Sequence, residues 1–209
     1  MKAPFAPLAT ALLLTGASTV FAASSVDLTV QGLITPSACT PSLSSGGVVD
    51  HGKVAAKDLS PINWTGLGDQ TLQLNITCEA PTLLALQGVD NRGDSPDTRN
   101  GYGLGLVDGK KLGMYMLSLD NATSGGAPIS VLESGDNGLT WQENFPGDVF
   151  PVSYLASFGD RSTGSWAPTP VQNVTSDLKV ATMLRPTAGM NLANEIPILG
   201  SATLEVKYL

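Results

Sequence analysis

Cysteine and histidine are nearly missing from this 209-residue chain, which has two of the first and one of the second. That scarcity excludes a disulfide-dense scaffold and a zinc cluster, and with His51 standing alone neither a catalytic triad nor a metal site can be assembled from the pattern. Charge is also sparse. Charged residues make up 14% of the chain, the net charge is −7, and Lys and Arg form no run anywhere. Nucleic acid and anionic membrane surfaces are therefore poor candidate partners, and neither is expected. Beyond the first twenty or so residues there is no apolar run of about 18, so no membrane span is expected in the mature chain. No helical period of useful length, serine elbow or internal repeat is found either, and neither enzyme activity nor a cofactor is expected.

Glycine (23) and proline (14) are plentiful beside 42% apolar residues, the composition of an ordered, turn-rich β protein. The N-terminus has the layout of a secretory signal peptide. Lys2 supplies a positive charge, residues 8–17 are apolar apart from small polar interruptions, and Val20-Phe21-Ala22 fits a small-residue cleavage site. Cleavage after Ala22 leaves 209 − 22 = 187 residues, the length of one domain with a real core. The mature chain then begins and ends with a strand: Val26, Leu28, Val30, Gly32 and Ile34 alternate with more polar neighbours, as do Ala202, Leu204, Val206 and Tyr208.

Between these ends, short alternating or apolar segments predict strands over 71–78, 83–89, 102–107, 111–119, 129–132, 149–158 and 178–184. Residues 90–101, 121–128 and 159–170 read as loops. Many short strands joined by Gly and Pro turns point to an antiparallel β-sandwich of immunoglobulin-like type. Cys39 and Cys78 both lie in the exported portion and allow one intramolecular bridge. Closing a loop of that size stabilises a fold by about 4 kcal/mol in the chain-entropy model.

Several motifs carry a bland reading. Ser134-Gly135-Asp136-Asn137-Gly138-Leu139-Thr140-Trp141 is similar to the Asp-box hairpin repeated in sialidase propellers; a single copy is a turn device, with Asp136 accepting local donors and Trp141 packing. Arg92-Gly93-Asp94 resembles an integrin-binding tripeptide but lies among turn formers. Asp90, Asp94 and Asp97 lack the glycine and terminal glutamate of a calcium loop. Four segments match the glycosylation sequon, at Asn63, Asn75, Asn121 and Asn173, and are expected to be unmodified.

The segment VDLTVQGLITPSACTPSL, followed by LQLNITC and the terminal ATLEVKYL, resembles the subunits of chaperone-usher pili and their fimbrial-like relatives. CTPSLSSGGVVDHGKV, LQGVDNRGDS and YGLGL look closer still to a poorly characterised fimbrial-like family of secreted bacterial proteins. The resemblance implies an all-β, immunoglobulin-like antiparallel sandwich that is incomplete. Its missing strand is supplied first by a periplasmic chaperone, then by the N-terminal segment of another subunit at an outer-membrane usher. Carried onto this chain, it implies a signal peptide (1–22), a donor-strand extension (23–35) and a pilin-like sandwich (36–209). Val26, Leu28, Val30 and Ile34 are then the donated side chains and Gly32 the point of close approach. Ala202, Leu204, Val206 and Tyr208 form one wall of the accepting groove. Pilus subunits often carry a glycine before the terminal tyrosine; here the nearest is Gly200, with Ile196 and Pro197 ahead of it. The implied function is a structural subunit of a cell-surface fimbria. The alternative is a self-contained secreted carbohydrate-binding or adhesin-like module using Trp64, Trp141 or Trp166.

Overall fold

The computed structural model describes residues 38–96, 98 and 100–209. The expected signal peptide and donor residues Val26, Leu28, Val30, Gly32 and Ile34 lie outside the described residues. So does Asp97. The described strands are β1 (Cys39–Leu43), β2 (Thr65–Thr82), β3 (Leu84–Asp90), β4 (Tyr102–Gly103), β5 (Leu106–Val107), β6 (Lys110–Lys111) and β7 (Gly113–Ser124). They continue with β8 (Ala127–Pro128), β9 (Ser130–Ser134), β10 (Gln142–Glu143), β11 (Leu155–Asp160), β12 (Ala167–Pro168), β13 (Val171–Leu184) and β14 (Ala202–Tyr208). Among the described residues no helix is long and apolar enough to cross a membrane.

The strands build an all-β sandwich from two antiparallel sheets. One runs in the order β1-β2-β13-β7-β4, with β8 added to β7; the other runs β10-β9-β11-β3-β14, with β12 added to β11; β5 and β6 form a separate ribbon. Period-two burial explains the layers. On β2, Leu72, Leu74, Ile76 and Cys78 are buried while Gln73 and Thr77 are exposed, and β13 buries Leu178, Val180 and Leu184 in the same way. These residues share one core with Leu117 and Leu119 of β7, Leu84 and Leu86 of β3, and Phe158 of β11.

Where sequence and structure differ, the causes are local. The 102–107 segment is broken into β4 and β5 because Gly105 takes a positive φ of 89°. The predicted 149–158 strand begins only at Leu155: Ser153 has φ 69°, and the preceding Phe150 is buried with its N–H donated to the Leu117 carbonyl. The expected loop at 121–128 is instead a hairpin that turns at Gly125-Gly126 and pairs β7 with β8. β13 starts well before residue 178: a register shift between Val171 and Asn173 breaks the two-residue period there, and the inward position 176 is a buried serine.

Candidate strand-accepting groove

The two sheet edges that face each other are β1 and β14. β1 pairs only with β2 on its sheet, and β14 only with β3, among the described residues. Between them runs a groove of about 300 Å³ whose floor is the sandwich core itself, with Leu72, Leu117, Leu178 and Val180 at its base. Leu43, Val49 and His51 line one wall, and Ile198, Gly200, Ala202 and Leu204 line the other. None of the groove's lining residues carries a carboxylate, an ammonium or a guanidinium. His51 sets its Nε2 2.9 Å from the Thr182 hydroxyl.

Backbone polarity sharpens this picture. Ser201 accepts from Asn91 and Leu209 donates to Leu83, so the odd-numbered residues of β14 spend their backbone groups on β3. In an antiparallel ladder the alternate residues must then face the other way. Ala202, Leu204, Val206 and Tyr208 thus turn their N–H and C=O groups toward the open edge, a template for one more strand. On the opposite wall, the Cys39 N–H points away from β2 and donates to the Tyr208 hydroxyl at 3.0 Å. Residues of the same parity share that direction, so Pro41, which has no N–H, removes a donor from the groove-facing edge of β1. An added strand finds a fuller set of backbone donors on β14 than on β1, where Pro41 contributes only its carbonyl.

One end of the groove is closed and fixed. The Cys39–Cys78 disulfide ties the start of β1 to β2, and the Tyr208 hydroxyl bridges to that same cysteine's backbone. At the other end, β14 is entered from the connection 185–201, which carries Ile196 and Ile198 against the core. Gly200 stands on this path where a Cβ would lie 2.7 Å from Tyr115 Cε1, so a side chain there would collide with a buried ring.

The terminal strand predicted from sequence is present over Ala202–Tyr208. Its apolar face is less buried than an internal core strand: Ala202, Leu204 and Val206 are half-buried and Tyr208 is 36% exposed. Sequence reasoning missed the β1 wall, because CTPSL shows no alternation and Pro41 argues against a strand. Edge strands tolerate proline, and Pro41 sits opposite Ile76. It also missed His51 and the floor residues as parts of one site, since they are brought together only by the closing of the two sheets.

The remaining motifs are distributed elsewhere. Asp136 accepts from the Thr140 hydroxyl at 2.6 Å, from the Ser134 hydroxyl at 2.7 Å and from the Thr140 N–H at 2.9 Å. Those bonds, the Thr140 hydroxyl first, hold its carboxyl down at about 2. Asn137 (φ 59°) and Gly138 (φ 87°) turn the hairpin, and the Trp141 indole donates to the Gly138 carbonyl. The Asp90 carboxylate accepts from the Arg92 and Gly103 N–H groups, so it fastens the loop that follows β3, and Arg92-Gly93-Asp94 forms the exposed turn there. Among the described residues no cluster of His, Cys, Asp or Glu is arranged to hold a metal. Trp64 lies under the Arg185 guanidinium, 5.8 Å from its ring centre.

The described residues thus form an all-β sandwich with an apolar groove between β1 and β14. The chain is similar over residues 28–108 to a family described as "Protein of unknown function (DUF1120)". It is 27% identical to Protein GltF of Escherichia coli (strain K12), over 88% of each chain, and 29% identical to Uncharacterized protein YhcF of the same strain, over 90% of this chain and 92% of that one. None of these descriptions names a fimbria, a pilus or an adhesin.

Proposed function

We propose that this chain is a structural subunit of a surface fimbria, exported through the periplasm and joined to its neighbours by donor-strand addition into the groove between β1 and β14. The reading is carried by the outer edge of β14, which pairs with no strand among the described residues and where Ala202, Leu204 and Val206 turn backbone groups outward beside a strip of half-buried apolar side chains. Residues 26–34 of a neighbouring subunit have the matching period: Val26, Leu28, Val30 and Ile34 enter the groove and Gly32 allows close approach. Each aliphatic side chain so buried contributes about 1.5 to 3 kcal/mol, and the β14 ladder adds to this against the cost of ordering the strand. A periplasmic chaperone occupies the groove until assembly at an outer-membrane usher. The reading gives the chain no catalytic role and no cofactor.

The test is a chain lacking residues 1–35, titrated with a peptide of residues 24–35. Stable, stoichiometric binding that raises the thermal midpoint is expected, and it should be lost in the variant Leu204→Asp. A truncated chain that is already a soluble, fully stable monomer and ignores the peptide overturns the proposal.

A further inference from the structure

Away from the groove, the hairpin between β9 and β10 borders a second concavity of about 360 Å³, lined by Glu133, Asp136, Thr140, Trp141, Gln142 and Tyr154 around the backbone of Gly135. The Glu133 carboxylate is held at both oxygens, accepting from Gln142 Nε2 at 2.5 Å and from Asn144 Nδ2 at 3.2 Å. Asn144 is itself buried, with its Oδ1 lacking a partner among the described residues. Two aromatic side chains are fixed at the rim. Trp141 is anchored through its indole N–H to Gly138, and the Tyr154 ring lies so close to Gly135 that a Cβ there would sit 2.9 Å from Cζ. Tyr154 nevertheless remains 37% exposed.

Oriented aromatic faces flanking pre-positioned carboxylate and amide groups fit a ligand that is apolar on one surface and hydroxyl-rich at its edge. The lining contains two carboxylates and no cation, so an acidic ligand is repelled. Asp136 accepts three bonds within the turn, whereas Glu133 accepts one at each oxygen and keeps further lone pairs, so Glu133 and its partner Gln142 are the groups that meet ligand hydroxyls. We propose that this concavity binds a neutral saccharide, stacked on Tyr154 and Trp141 and hydrogen-bonded by Glu133 and Gln142. The site is built from β9, β10 and the turn before β11, so it does not depend on how the groove is filled.

The full chain is titrated calorimetrically with maltotriose, cellotriose and N-acetyllactosamine, with sialyllactose as the acidic control. At least one neutral sugar should bind and sialyllactose should not. Tyr154→Ala and Gln142→Ala should each weaken that binding by about tenfold or more, with the thermal midpoint of Gln142→Ala unchanged. The proposal is overturned if none of the three neutral sugars binds, if sialyllactose binds equally well, or if neither substitution weakens binding.

Discussion

Gly88 is the point at which the β3–β14 pair is most sensitive to a single added carbon. It sits opposite Leu204, the central residue of the groove wall. A Cβ built at Gly88 would lie 1.9 Å from the Tyr102 hydroxyl oxygen and 2.9 Å from Cζ. Tyr102 is fully buried and stacked on Tyr115 with ring centres 5.3 Å apart, so the ring has no empty side to move into. β3 is held between β11 and β14 and cannot retreat as a unit. Gly88→Ala therefore forces overpacking at the costly end of the usual range, about 2 to 3 kcal/mol. For a domain of this size that lowers the thermal midpoint by roughly 4 to 12 °C. The Tyr102 hydroxyl has no hydrogen-bond partner among the described residues, so Tyr102→Phe alone should be neutral or mildly stabilising. In the double variant the closest collision disappears, leaving Cζ at a distance that a few tenths of an ångström relieve. The pair should then show a favourable coupling of about 1 kcal/mol or more in a double-mutant cycle measured by urea denaturation. If the double variant is as unstable as Gly88→Ala, or if Gly88→Ala matches the unaltered chain, the packing argument is wrong.

Replacing both Cys39 and Cys78 by serine removes a cross-link between residues 39 apart and should cost about 4 kcal/mol, read as a lower urea midpoint that the reduced unaltered chain reproduces. Asp136 has a folded-state pKa depressed from 3.8 to about 2, so its stabilising contribution is complete above the ordinary carboxylate range and disappears as pH falls through that interval. Asp136→Asn should therefore be less stable near neutrality and lack the corresponding acid limb in a pH series of denaturation midpoints. Tyr102 and Tyr115 have phenols raised well above their usual range, chiefly by burial. Stability from keeping them protonated erodes as pH rises above about 10, so their phenolate absorbance should appear together with unfolding and be absent from the double Phe variant.

The fold is readable where burial is one-sided. β2 and β14 alternate apolar with polar residues because one face of each meets the core, β3 is legible as a short apolar run buried on both faces, and the hairpin around Asp136 is legible because its bonds are local. β1 is not legible, since an edge strand with Pro41 needs only its partner β2 to form, and that partner lies nearly forty residues away. The groove is legible only by half. Its β14 wall follows from period two at Ala202, Leu204 and Val206, whereas Leu43, Val49 and His51 join it through sheet packing that no sequence window contains. The saccharide-type concavity was hidden for the same reason: Tyr154 precedes β11 and meets the Asp136 hairpin only because β9 and β11 pair.

The central claim is that residues 26–34 fill the groove of another molecule. Single cysteines placed in turn at positions 26, 28 and 30, each combined with Leu204→Cys in the full chain, test it under oxidising conditions. A ladder of covalent multimers for at least one pair, absent when either cysteine is present alone, is predicted. An intramolecular bridge in a monomer, or no bridge from any of the three, would contradict the account.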